Sequence, residues 1–222
     1  MVSRNPVSQY GVKMHNTPAA AFFEQGARTV RATQDPALTA YLLGFGCHFI
    51  LDSRSHPFVN RMQRENVVSH TLLEKEFDRY LMVKTGKNPY SYYPSDAIVP
   101  KQEYAQVIHK AIPKIRTSSL LASLHMMKLQ TNLMVCDDGG RRRKAVEVLL
   151  KPAGRKGQAI VEYFMTSQAP QNLDEPLEEM ERLFRAALKE APACLSELWT
   201  LFREEGRLSE RWDIDFNGNK KL

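Results

Sequence analysis

In the stretch GCHFILDSRSHPFVN, residues 46–60, His48, Asp52 and His56 recur every four positions in an otherwise apolar segment, and Pro57 follows directly. Imidazole nitrogen and carboxylate oxygen are the donors zinc takes when no thiolate is near. In a helix, residues four apart are offset by about 40° around the axis and roughly 6 Å along it, so His48 and Asp52 point the same way and can share one ion. Pro57 disfavours helical geometry at the residue before it, so His56 is expected where the helix ends, its ring approaching from another angle. Fourteen residues further on, HTLLE places His70 and Glu74 four apart again. Two segments each offer a histidine and a carboxylate.

The bland reading of any one of these histidines is a hydrogen-bonded core residue. Their grouping argues against it: of six histidines in the chain, His48, His56 and His70 fall within 23 residues, and His15 stands just ahead of the helix start Thr17-Pro18-Ala19. Histidine ligands ordinarily need an acceptor for the second ring nitrogen. Glu76 and Asp78, close behind Glu74, could supply it or could belong to a solvated helix face. His109 and His125 stand apart, the second beside Met126 and Met127, and are assigned no role.

These side chains need helices to hold them, and the sequence supplies little else. Asp35-Pro36 reads as an N-cap followed by proline at the first helical position, opening a segment through Leu51. Ser69 can cap the helix that carries His70 and Glu74, which runs until Gly86 and shows an apolar stripe at Leu73, Phe77 and Leu81. Further helices are predicted over 102–112, 117–135, 141–151 and 157–166. Leu177, Met180, Phe184 and Leu188 recur at helical spacing and read as core, as do Leu195, Leu198 and Phe202 after Pro192. Between helices, KNPYSYYPSDAIVP (87–100) is a loop whose Tyr90, Tyr92 and Tyr93 could pack it down or meet a membrane interface or nucleobases. No internal repeat or low-complexity linker interrupts the pattern, so one all-α domain over 1–222 is expected.

Composition sets the outer bounds. At 222 residues and 43% hydrophobic content the chain has material for a real core. Its longest apolar runs fall short of the roughly 20 residues a membrane span needs. Cys47, Cys136 and Cys194 have unrelated spacings that suggest neither a disulfide framework nor a zinc ribbon, and MVSRNPVSQYGVKMH has no apolar signal core, so a cytoplasmic setting is the default expectation, with export the alternative if an N-terminal segment is missing. The net charge of +6 is local: residues 141–156, RRRKAVEVLLKPAGRK, carry all of it and the remainder sums to zero. Such a patch can meet nucleic acid, lipid headgroups or solvent alone. No helix-turn-helix, zinc-finger or aromatic RNA-binding signature accompanies it.

The runs AYLLGFGCHFILDSRSHPFVN and SHTLLEKEFD resemble the zinc-dependent phospholipase C family, whose helical fold is shared with the single-strand-specific zinc nucleases. The likeness covers roughly residues 7–81. It implies an all-α domain that binds two or three zinc ions, in which His15 and His48 hold one ion, Asp52 bridges two, and His56, His70 and Glu74 hold another. It further implies a phosphoric-ester hydrolase acting on a phospholipid headgroup, with room for peripheral membrane contact. The rival readings are a nuclease on the same site, which the basic run would favour, and a non-catalytic metal-binding or structural helical protein. Two departures bear on this. Family members space the aspartate and the next histidine six apart, whereas here they are four apart, so His56 is expected to need a tighter turn. The family also uses its amino-terminal residue, an early histidine and an aspartate in a Gly-Pro-Asp-like segment ahead of the region matching QYGVKMH. Asp35 and Asp52 are the first aspartates in this chain and both follow His15. The expectation is therefore a chain lacking the family's N-terminal part or keeping a partial site. No general base can be named outside the metal donors.

Overall fold

The computed structural model describes residues 5–135, 140–166, 170 and 172–220. Among them are nine α-helices: α1 (Pro6–His15), α2 (Ala19–Thr33), α3 (Pro36–Arg64), α4 (His70–Lys84), α5 (Gln102–Ala111), α6 (Thr117–Met134), α7 (Arg141–Leu150), α8 (Arg155–Val161) and α9 (Asp174–Arg203). Extended pairing among the described residues is limited to an isolated antiparallel bridge between Ile214 and Lys220. The all-α expectation therefore holds.

The helix starts follow from their caps. Asn5 Oδ1 accepts from Val7 N at 2.9 Å ahead of Pro6, and Asp35 Oδ1 accepts from Ala37 N at 2.9 Å ahead of Pro36. Both are polar caps with proline at the first helical position, where its missing N–H costs nothing. Ser69 Oγ accepts from Leu72 N at 3.2 Å and donates to Glu162 at 2.6 Å, fixing the start of α4. The segment predicted as helix over 157–166 is shorter, ending at Val161. It stops because Phe164 and Met165 turn inward and Met165 N donates to Met134 O at 3.1 Å instead of continuing the helical ladder. Leu188, expected in the core, is exposed, whereas Leu177, Met180 and Leu198 are buried as expected.

The chain divides into two compact units. The first comprises Met1–Phe58, Pro100–Leu124 and Leu183–Leu222. Its core gathers Phe23 from α2, Leu42 and Phe49 from α3, Leu198 from α9, and Trp212 and Phe216 from the segment after α9. Trp212 lies 5.1 Å from Phe49 in a stack and 4.9 Å from Phe23 edge-on, and its indole N–H donates to Glu197 at 3.0 Å. Buried aromatics of this kind are each worth about 3–5 kcal/mol when truncated, so residues 212–216 are firmly anchored. The second unit comprises Val59–Val99 and His125–Arg182, with Leu73 and Phe77 of α4 and Leu177 and Met180 of α9 among its buried apolar side chains.

The helix carrying His48 does not end at His56. α3 continues through Pro57 to Arg64, so His56 stays helical and one face presents His48, Asp52 and His56 together. Neither the freed ring nor the tighter turn expected from the sequence is needed. Local proline geometry is overridden by packing: Ser53, Ser55 and His56 are buried, and Gly218 closes on the helix where Pro57 cannot hydrogen-bond to Ser53 O. A Cβ at Gly218 would fall 2.6 Å from Ser53 O and 2.7 Å from Pro57 Cγ, and its φ of 74° is itself a glycine conformation. Gly218→Ala is expected to lower stability by about 1–3 kcal/mol, read as an earlier midpoint in urea. An unchanged midpoint would contradict this packing.

Candidate metal centre

In the first unit, Asp52 is ringed by three imidazoles. Its Oδ2 lies 3.3 Å from His48 Nε2, 3.5 Å from His15 Nε2 and 3.7 Å from His56 Nε2. The Asp52 side chain is 13% exposed and that of His56 8%, so the carboxylate sits low and the ring of His56 beneath solvent reach. Donor atoms of His15, His48 and Asp52 lie within 4.8 Å of one another, a spacing that could hold a metal ion.

The second ring nitrogens orient these donors. His56 Nδ1 pairs with Phe216 O at 3.0 Å and His15 Nδ1 with Gly11 O at 2.9 Å. A carbonyl accepts only, so each Nδ1 carries a proton, and Nε2 is the nitrogen that faces Asp52 and could take a metal ion. The segment after α9 completes the arrangement. Phe216 packs its ring 5.1 Å from His15 and 5.6 Å from His48, and Asn217 Nδ2 donates to His15 O at 2.7 Å. Asp215 holds this turn, its Oδ1 accepting from the backbone N–H of Asn217 and of Asn219, both at 2.9 Å. These residues lie some 160 to 200 positions from the histidines they support. No local pattern could have pointed to them, although Asp-Phe-Asn-Gly is turn-forming in composition.

In the second unit, His70 Nε2 lies 3.0 Å from Glu74 Oε1, as the four-residue spacing implied. The partner of His70 Nδ1 is Asn60 Oδ1 at 3.2 Å, neither Glu76 nor Asp78. Glu76 is not on a solvated face either. It is fully buried, takes hydrogen bonds from Lys75 and from Thr166, and receives Arg79 Nε at 2.6 Å. His70, Glu74, Lys75 and Asp78 line a pocket of about 420 Å³. Solvent reaches Asp78, but the protein atoms crowding the pocket wall, and secondarily the charge of Glu74 one turn earlier, push its carboxyl up to about 6. His109, given no role, is a satisfied structural histidine whose Nδ1 pairs with Ile115 O at 2.7 Å.

A pocket of about 360 Å³ in the first unit shares Phe216 with the histidine cluster. Met14, Phe22 and Phe216 make it apolar, and Lys13 and Lys114 bring positive charge to it.

An all-α chain that sets imidazole and carboxylate groups on consecutive turns, two of the imidazoles oriented by backbone carbonyls, offers donor groups that could hold metal ions. The family follows from comparison: a model described as zinc dependent phospholipase C matches residues 3–122, more than half of the chain, and the protein belongs to that family. The matched segment contains His15, His48, Asp52, His56, His70 and Glu74. No curated protein and no solved structure matches the chain.

Proposed function

We propose that the protein is a zinc-dependent phosphoric-ester hydrolase that cleaves the headgroup phosphodiester of a phospholipid. The observation that carries this reading is the three-imidazole ring around Asp52, within a chain that belongs to the zinc-dependent phospholipase C family. The donor set fits zinc: imidazoles with Nε2 directed inward, a carboxylate of low exposure, and no thiolate in the cluster. His15, His48 and Asp52 would hold metal in the first unit, with His56 Nε2 close beside the same carboxylate, and His70 and Glu74 offer a further donor pair in the second. Zinc held there would supply Lewis-acid polarisation of a phosphoryl group and would make water more acidic near neutral pH.

The remaining work falls to the chain's own residues. Gly11 O and Phe216 O keep the His15 and His56 rings in the tautomer that faces Asp52, so the donors need little reorganisation. Phe216 walls the cluster on one side, and the adjoining pocket, within the usual size range for small-ligand sites, offers Lys13 and Lys114 to an anionic phosphoester above an apolar lining. The test is direct. Zinc-loaded protein should release phosphorylated headgroup from phosphatidylcholine or phosphatidylglycerol vesicles, His48→Ala should abolish release, and His109→Ala should leave it intact. Cleavage of single-stranded nucleic acid with no headgroup release would replace this reading with a nuclease. Full zinc occupancy with neither activity would make the protein a non-catalytic metal binder.

A further inference from the structure

The chain's whole excess of positive charge lies beyond the family-matched segment, in α7, α8 and the turn that joins them. Residues 141–156 hold seven basic side chains against Glu147, and with Asp137 and Asp138 counted the stretch 137–156 still keeps a net +4. This charge does not surround a polar surface. Val148 is 74% exposed and Leu149 76%, the two highest exposures among the large hydrophobic side chains described. On α7, Arg141, Lys144, Ala145, Val148 and Leu149 stand at spacings of three, four, seven and eight, which places them on one face, whereas the less exposed Arg143, Val146 and Leu150 fall on the opposite one. α8 repeats the pattern with Lys156, Ala159 and the exposed Ile160, and Tyr163, also exposed, follows in the turn beyond it.

The two helices are held as a close pair. A Cβ on Gly157 of α8 would fall 2.2 Å from Leu150 O, so the backbones meet at a point where only glycine fits. The exposed apolar side chains are thus the outward remainder of a packed hairpin. Leaving two adjacent aliphatic side chains three-quarters in water is unfavourable, and a rim of arginine and lysine does nothing to relieve it. One environment satisfies both: an interface with anionic headgroups at its surface and hydrocarbon just beneath. A nucleic-acid backbone would take the charge but offers nothing to Val148 and Leu149.

We infer that α7 and α8 form a docking surface for an anionic phospholipid bilayer, in which Arg141, Lys144, Lys151, Arg155 and Lys156 meet lipid phosphate and Val148 and Leu149 enter the acyl boundary. None of the described helices is long and apolar enough to cross a membrane, so the contact is peripheral. The basic and aliphatic side chains named here are not among the metal donors, and binding can be read without turnover. A chain that binds vesicles but hydrolyses nothing would overturn the hydrolase reading and leave this one standing.

The full chain would be floated with vesicles of phosphatidylcholine containing 30% phosphatidylglycerol, and with pure phosphatidylcholine, at about 0.1 and 0.5 M salt. Binding should favour the anionic vesicles and weaken with salt. Removing a basic residue should cost about fivefold in partitioning, so Arg141→Gln/Lys144→Gln should lose roughly 25-fold. Val148→Asp/Leu149→Asp should lose at least as much, while Lys101→Gln, outside the patch, should bind like the parent. The variants should melt with the parent and keep its zinc content; should the aspartate pair not melt with it, Leu149→Ser gives the same reading more gently. Equal partitioning of parent and patch variants, or no preference for anionic vesicles, would overturn the inference. So would binding to a single-stranded oligonucleotide that the charge variant loses and the aliphatic variant keeps, without vesicle binding.

Discussion

Replacing Asp52 with asparagine is expected to empty the first-unit metal centre while leaving the helices in place. The carboxylate sits in a ring of three imidazoles, each within 3.7 Å of the same oxygen. Asparagine keeps the shape and removes the charge. Losing a residue that merely supports a ligand typically costs 10–100-fold in metal affinity, so losing the shared ligand itself should cost at least about 100-fold. Competition with a chromophoric chelator reads this directly. Headgroup release should fall to background in the same variant, and far-UV circular dichroism should not change. Affinity within a few-fold of the parent would show that Asp52 is not a metal ligand. His109→Ala is the matching control, because that ring is committed to Ile115 O.

The largest stability effect is expected at Glu76. Its carboxylate is fully buried between Lys75 and Arg79, both themselves buried, with Thr166 as a further donor. Truncation to alanine would leave two cations in the interior of the second unit without their counter-ion. Breaking a buried pair in this way costs about 3–5 kcal/mol, whereas replacing such a group wholly by apolar side chains is often neutral. Glu76→Ala should therefore shift the urea midpoint strongly, and Glu76→Leu combined with Lys75→Met and Arg79→Met should recover much of the loss. A triple variant no better than Glu76→Ala would mean that the charges stabilise the unit beyond their mutual neutralisation. Lys75 also lines the pocket that holds His70 and Glu74, so zinc content should be followed alongside stability.

What was legible in the sequence was what is local. Caps at Asp35 and Ser69, the ends of α5, α6 and α7, and the four-residue pairing of His48 with Asp52 and of His70 with Glu74 all rest on interactions within a turn or two of chain. α1 carries the same signature as α3, a polar residue before proline at Asn5-Pro6, and could have been read by the same rule. The course of α3 past Pro57 could not, because it depends on Gly218, some 160 residues away. Likewise Glu76 and Asp78 on the same helix and Asn60 on the preceding one all sit within reach of His70, and only tertiary packing decides that Asn60 takes the ring nitrogen while Glu76 turns inward. The basic run 141–144 could be placed on a helix from sequence, but not the exposure of Val148 and Leu149 beside it. Those aliphatics would ordinarily be assigned to a core.

The proposed hydrolysis requires that these donors hold zinc. Elemental analysis of gently purified protein, followed by thermal unfolding before and after chelation, is the most direct measurement. The predicted result is more than one zinc per chain, a reduced count in His70→Ala as well as Asp52→Asn, and a clear drop in unfolding temperature when the metal is removed. Metal-free protein whose unfolding temperature responds to neither added zinc nor chelator would contradict it.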